Sequence, residues 1–392
     1  MGVLAVSSIV PLLLLEIGAV ALVLALLARL AVRTGFSPIP LYLLLGLTIG
    51  IISPATLNQV TVDVIAQVAI IFLLFMLGLE FGAREIALSL RTHLGSGIVD
   101  GVLNFVPGLV AGFALGWGPV AALLLGGVTY ISSSGIIAKL LDDLDRLGNL
   151  ETPAILSVLV IEDMAMAVYL PLIVALLAGA GLLAGVVAAA GATAALLVAL
   201  YVSVRHGSAL NRGISHPSDE VVLLTVVGIL LAVGGGVEML GVSAAVAAFL
   251  VGIALSGNVA DRARVLLAPV RDLLAAGFFV LFALQIEVER IPEVAGVAAL
   301  LWLVTALTKV ATGVWATRRV AGVVGRARAG TALIARGEFS IVLAGLAIGT
   351  TQEPLLGPLA ATYVLLTAVS GPLLARVSDP LARAWVRRRK RA

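Results

Sequence analysis

Residues Leu159-Val160-Ile161-Glu162-Asp163-Met164-Ala165-Met166 put two adjacent carboxylates inside an apolar stretch running from about 152 to 178. A stretch of this length reads as a membrane-crossing helix, which needs roughly 20 apolar residues. The pair then sits near the bilayer midplane, where each charge costs about 2.5–3.5 kcal/mol on insertion scales and implies a function by default. Adjacent side chains on a helix diverge by about 100°, so the two acids address different neighbours. Burial and mutual repulsion both disfavour the doubly ionised pair. A buried carboxylate is also a hard oxygen ligand, so one group holds either a proton or a small cation. The competing reading is a buried ion pair that only locks helices together, and for Glu162 this stands close to the functional one.

Composition agrees with a membrane protein. The chain of 392 residues is 61% hydrophobic and 12% charged, about half the charge of a typical soluble domain. There is no Cys, which excludes disulfides and thiol chemistry. Thirteen candidate spans lie near 11–32, 38–53, 61–79, 94–115, 119–141, 152–178, 181–204, 219–236, 238–257, 264–287, 293–319, 328–349 and 355–378. The Gly234–Gly235–Gly236 run is taken as the break between the eighth and ninth. The first span lacks the flanks of a cleaved signal peptide.

Basic residues test the count. With thirteen spans, every Lys and Arg falls on the side of the C-terminus except Arg290, outside, and Lys309 and Arg336, within spans. The positive-inside rule then puts the C-terminus in the cytoplasm and the N-terminus outside, in a bacterial-type inner (plasma) membrane. The net charge of +3 reflects this topology, and no nucleic-acid partner is expected. No soluble regulatory domain, Walker A loop or dinucleotide fingerprint is found. Neither enzymatic activity, a cofactor nor a resident metal is expected, and the energy source is an ion gradient or a partner subunit.

Three further polar groups lie at membrane depth. Lys309 is too deep to reach the interface and should pair with Glu162 or Asp163. The run Thr129-Tyr130-Ile131-Ser132-Ser133-Ser134-Gly135 favours unwound backbone. Arg336-Gly337-Glu338-Phe339-Ser340 interrupts the twelfth span, with Arg336 and Glu338 compensating charge or helix ends. The fifth and twelfth spans have opposite orientations, the pattern of an inverted repeat with a site at the two breaks. Glu16, Glu80, Asp100 and Glu238 lie in or near span ends and read as structural or vestibular. Asn104 with Pro107 reads as a kink. His93, His206 and His216 show no ligand spacing.

Several segments resemble the bacterial cation:proton antiporter-2 family, which includes the Kef-type potassium/proton and Nap-type sodium/proton antiporters. They are Leu74-Phe75-Met76-Leu77-Gly78-Leu79-Glu80, Ile131-Ser132-Ser133-Ser134, the stretch from Leu240 to Gly252, Phe278-Phe279-Val280, Lys309 and Arg336-Gly337-Glu338-Phe339-Ser340. The resemblance implies an all-α antiporter fold of about thirteen spans with inverted repeats and two broken helices. It also implies a homodimer, with mobile core helices near 94–178 and 293–349 and dimerisation or scaffold helices near 11–53 and 219–257. Asp163 matches the family's ion-carrying aspartate. Glu162 occupies a position that is Asp in electrogenic sodium exchangers and Gln in Kef-type proteins.

Residues and resemblance together lead to one expectation. A monovalent cation, Na⁺ or K⁺, exchanges for H⁺ by alternating access. Asp163, Glu162, Ser132, Ser133, Ser134 and Thr129 form the cation and proton site, and Lys309, Arg336 and Glu338 balance charge. A channel or an ion or pH sensor on the same scaffold is the alternative. Membrane lipid and a separate regulatory subunit are the other partners considered.

Overall fold

The computed structural model describes residues 2–34, 38–52, 59–80, 83–179, 181–239, 244–255, 257–284, 286–347 and 353–391. These form fifteen α-helices and one 3₁₀ turn, with no strand among them. In chain order they are α1 (Gly2–Thr34), α2 (Ile39–Ile52), α3 (Gln59–Glu80), α4 (Ala83–Ala114), α5 (Pro119–Tyr130), α6 (Ser134–Asp143), α7 (Thr152–Leu177) and α8 (Gly181–Ile214). Then come α9 (Asp219–Glu238), α10 (Ala244–Ala254), α11 (Gly257–Leu284), α12 (Ile291–Ala316), α13 (Val323–Ala332), α14 (Glu338–Ala347) and α15 (Leu356–Arg391). With α5–α6 and α13–α14 each taken as one interrupted segment, the described helices match the expected spans one for one. Nine stretches among the described residues are long and apolar enough to cross a membrane, with α5–α6 counted as one.

Two boundaries differ from the sequence reading. Helix α9 continues through Gly234–Gly236 to Glu238. In a bilayer, three glycines carry little helix penalty because no water competes for their backbone groups. The described chain resumes with α10 at Ala244, and Leu240–Ser243 of the family-like segment lie outside the described residues. Helix α13 begins at Val323, so Arg326 and Arg328 stand on its first turns, not in a loop.

Local chemistry sets the element starts. Prolines occupy the first turn of α5, α7 and α12, where a missing N–H costs nothing. Gly116, at φ +80°, turns the chain between α4 and α5; this left-handed conformation penalises a Cβ. The two helices consequently form a tight antiparallel pair.

Two main apolar clusters hold the helices together. Helix α4 packs on α5, α7 and α12, while α15 packs on α12, α13 and α14. One apolar cluster joins Leu124 and Val128 of α5, Met164 of α7, Leu301 of α12, Leu343 of α14 and Tyr363 of α15, and also takes in Leu43 of α2, Phe249 of α10 and Phe278 of α11. A second joins Phe75 of α3, Val226 of α9, Ala248 of α10 and Leu267 of α11. Between α12 and α13 the backbones nearly touch: a Cβ on Gly330 would lie 2.7 Å from the Cα of Val310. Small residues at such crossings replace the hydrophobic drive that lipid does not supply. Beyond the spans, Arg328 ties α13 to Glu151 (3.4 Å) and to Asp379 of α15 (2.8 Å).

Candidate functional site

The two interrupted segments cross at their breaks. The backbone N–H of Ser133 donates to the carbonyl of Ala335 at 2.9 Å, and the hydroxyl of Ser340 donates to the carbonyl of Val128 at 2.8 Å. The crossing is tight because residue 337 is Gly: a Cβ there would lie 2.7 Å from that of Ser133. Ser133 also caps α6, its side chain accepting from the N–H of Ile136, as a serine N-cap does.

Both first halves, α5 and α13, end at the crossing with their carbonyls facing inward. Arg336, wholly buried, collects them. Its Nε and Nη2 donate to the carbonyl of Thr129 at 3.1 and 2.8 Å. Its Nη1 donates to the carbonyls of Leu333 and Ile334, each at 3.0 Å. The positive charge thus meets the negative ends of two helix dipoles and the last carbonyls of each. Glu338 is the first residue of α14, and its side chain lies outside the described residues.

Helix α7 delivers the adjacent acids to this crossing, and they diverge as the helical spacing requires. Asp163, 1% exposed, accepts from the Ser134 hydroxyl at 3.0 Å, at the first turn of α6. Glu162 is fully buried. It accepts from the backbone N–H of Ser132 at 2.5 Å and from that residue's hydroxyl at 3.1 Å. The Nζ of Lys309 donates to Glu162 at 2.8 Å. Ser134 is partly exposed and Gly135 exposed, followed on the same side of α6 by Ala138, Lys139 and Asp142. The opposite face of α6 buries Ile136, Ile137, Leu140 and Leu141. Asp163 therefore lies one hydroxyl away from a small, polar surface strip.

Thr129 sits differently from the other expected ligands. Its hydroxyl donates to the carbonyls of Asn104 (2.8 Å) and Gly126 (3.1 Å), and its own carbonyl is taken by Arg336. It braces the crossing from the α5 side.

Asp100, read as structural or vestibular near a span end, lies far deeper than that. It lies near the middle of the 32-residue α4, is wholly buried and receives Lys309 with both oxygens, at 2.7 and 2.9 Å. Lys309 thus bridges Asp100 and Glu162, with its ammonium 5.8 Å from the centroid of the Tyr130 ring. Asn104, one turn on from Asp100, donates to it at 2.9 Å and accepts from Thr308 at 2.7 Å. The sequence does carry a signal for these residues: a polar pair at i and i+4 in the apolar second half of α4, opposite Thr305, Thr308, Lys309 and Thr312 on one face of α12.

A membrane-embedded crossing of two broken helices, with acids and compensating cations gathered at the breaks, defines a secondary-transporter architecture. Residues 19–377 match the family described as "Sodium/hydrogen exchanger, transmembrane", and the chain belongs to it. It is 32% identical over 386 residues to the K(+)/H(+) antiporter subunit KhtU of Bacillus subtilis, with 94% of each chain covered. It is 29% identical over 379 residues to the ammonium/H(+) antiporter subunit AmhT of Alkalihalophilus pseudofirmus, with 93% of each covered. Its fold is similar to that of the sodium proton antiporter MjNhaP1 from Methanocaldococcus jannaschii: TM-score 0.63, 17% identity, 94% of this chain and 98% of that one.

Proposed function

We propose that this chain is a secondary antiporter that exchanges a monovalent cation for H⁺, with Asp163 as the group that carries each in turn. The observation that carries the reading is the charge balance at the crossing. Around the crossing, the buried charged groups with described side chains are Asp100, Glu162, Asp163, Lys309 and Arg336; the other two buried charges, Arg146 and Glu151, lie near the start of α7, and Glu338 is outside this sum. Fully ionised, the five around the crossing sum to one negative charge. One bound monovalent cation, or one proton, brings the sum to zero, and in a low-dielectric interior the neutral state is strongly favoured. Both states of Asp163 are therefore reachable, while the empty ionised state is the costly one to move across the membrane. That is the coupling rule of an exchanger.

In this reading Ser134 and the N-terminal turn of α6 orient Asp163. Ser132, Ser133 and Glu162 shape the wall of the site, Arg336 and Lys309 balance charge, and Glu338 contributes from the start of α14. The helices near 94–178 and 293–349 (α4–α7 and α12–α14) move as one body against those near 11–53 and 219–257 (α1, α2, α9 and α10), which hold a homodimer in a bacterial plasma membrane. The N-terminus is outside and the C-terminus cytoplasmic. A separate regulatory subunit acts from the cytoplasmic side, as the word "subunit" in the names of two relatives suggests. Na⁺ and K⁺ are the first substrates to test, with ammonium added because of the name of one relative.

The test is reconstitution into vesicles with a pH-sensitive dye inside. Gradients of Li⁺, Na⁺, K⁺, Rb⁺ or NH₄⁺ are imposed in turn. A cation gradient should drive proton movement in the wild type and not in Asp163→Asn. Undiminished exchange in that variant, or cation flux without proton movement, defeats the proposal.

A further inference from the structure

Lys309 has two carboxylate partners where one would neutralise it, and they are not equivalent in position. Its three N–H donors point to Asp100 Oδ1, Asp100 Oδ2 and Glu162 Oε1 at 2.7, 2.9 and 2.8 Å. Two of the three go to Asp100. Glu162 stands beside Asp163 and holds the unwound backbone at Ser132, so it belongs to the crossing. Asp100 belongs to the α4–α12 interface: Asn104 donates to its Oδ1, and Asn104 is itself held by Thr308 of α12 and by Thr129 of α5.

We infer that Asp100 is the resident counter-ion of Lys309, so that Lys309 stays charged through the cycle and one proton, carried on the Glu162–Asp163 pair, exchanges for one cation. The inference rests on the exchanger reading and adds its stoichiometry. The physical reason lies in what Lys309 would otherwise have to do. A lysine held by a single acid at the site loses its partner when a cation takes that acid, and a buried unpaired ammonium then sheds its proton. With Asp100 bound through both oxygens, occupation of the crossing leaves Lys309 still paired. Helices α4 and α12 pack directly on one another, so the pair persists whichever side the site faces. Asp100 is thus a positioning residue: it touches neither the cation nor the transported proton.

Charge pairing gives a test that a merely structural role does not pass. Exchange is measured in vesicles reconstituted with the full chain as wild type, Lys309→Gln, Asp100→Asn and the double variant, each confirmed monodisperse before reconstitution. Each single variant should lose at least about a hundredfold in exchange rate, the scale expected when one partner of a buried ion pair is removed. The double variant removes a plus and a minus together, and should recover to within about tenfold of wild type with a pH profile like that of wild type. A well-folded double variant as inactive as the worse single one overturns the inference. The wild type supplies an arm that needs no variant. A cation gradient should change internal pH without building a membrane potential on a voltage-sensitive dye, and a potential that follows transport overturns the inference. No exchange at all in the wild type would instead count against the antiporter reading.

Discussion

Arg336 grips the carbonyl of Thr129 with two nitrogens, at 2.8 and 3.1 Å, across 207 residues of sequence. With its third nitrogen on Leu333 and Ile334, it joins the last turn of α5 to that of α13. The two halves of the inverted repeat are thus fastened at their breaks by one side chain whose partners are all backbone.

Replacing that side chain should therefore damage stability as well as transport. Arg336→Gln leaves buried carbonyls without donors and should cost about 3 kcal/mol or more, the scale of a lost charged hydrogen-bond set. Arg336→Lys keeps the charge but not the planar fork, and should fall between the two. Thermal unfolding in detergent reads the order: wild type, then Lys, then Gln. Equal melting of all three contradicts the fastening role.

The crossing predicts a compensating pair. Gly337→Ala brings a Cβ within 2.7 Å of that of Ser133, and such overpacking costs about 1–3 kcal/mol. Ser133→Gly removes the obstructing atoms and, as glycine is a fair N-cap, should cost only a few tenths of a kcal/mol by itself. The double variant should therefore melt higher than Gly337→Ala alone. If it melts lower, the two residues do not meet as described.

Ser134 offers a milder probe of the proposed ion site. Ser134→Ala removes one hydrogen bond to the Asp163 carboxylate, worth about 1.5–3 kcal/mol for a charged acceptor, so the apparent cation KM should rise about tenfold or more with little change in melting temperature. Titration of exchange rate against cation concentration checks this. An unchanged KM would separate Ser134 from the cation.

On the cytoplasmic side of the proposed topology, Arg328 is the partly exposed link among α13, Glu151 and Asp379. Arg328→Gln should cost about 2 kcal/mol or more, because the side chains are only 15% (Arg328), 6% (Glu151) and 21% (Asp379) exposed and the acids are left without their cation, and the loss should change little with salt. Melting curves at two ionic strengths measure it. A cost that falls away in high salt would show that the pair is open to water.

The breaks at 131–133 and 333–337 are legible in sequence from Ser132–Ser134 and Arg336–Ser340, because polar residues and Gly at mid-span are rare and expensive. The same holds for Glu162, Asp163 and Lys309. Asp100 escaped because Arg84, Arg91 and His93 delay the apolar onset of α4. The helix begins at Ala83, so a residue near the edge of the apolar stretch lies in the middle of the helix. Which acids meet Lys309 depends on how α4, α7 and α12 pack, and no local pattern encodes that. Arg336 was visible as a charge that could compensate helix ends, but which carbonyls it meets depends on how α5 and α13 approach each other.

The separation of Glu162 from Lys309, 147 residues, bears on how the chain is made. At about 5–20 residues per second, the acids of α7 wait several seconds or more for their ammonium to leave the ribosome. During that interval the nascent amino-terminal half carries acidic groups in lipid with no basic partner. Chains cut short between α7 and α12 should accordingly be poor at staying inserted and good substrates for membrane proteases, so late nonsense mutations would be cleared as well as inactive.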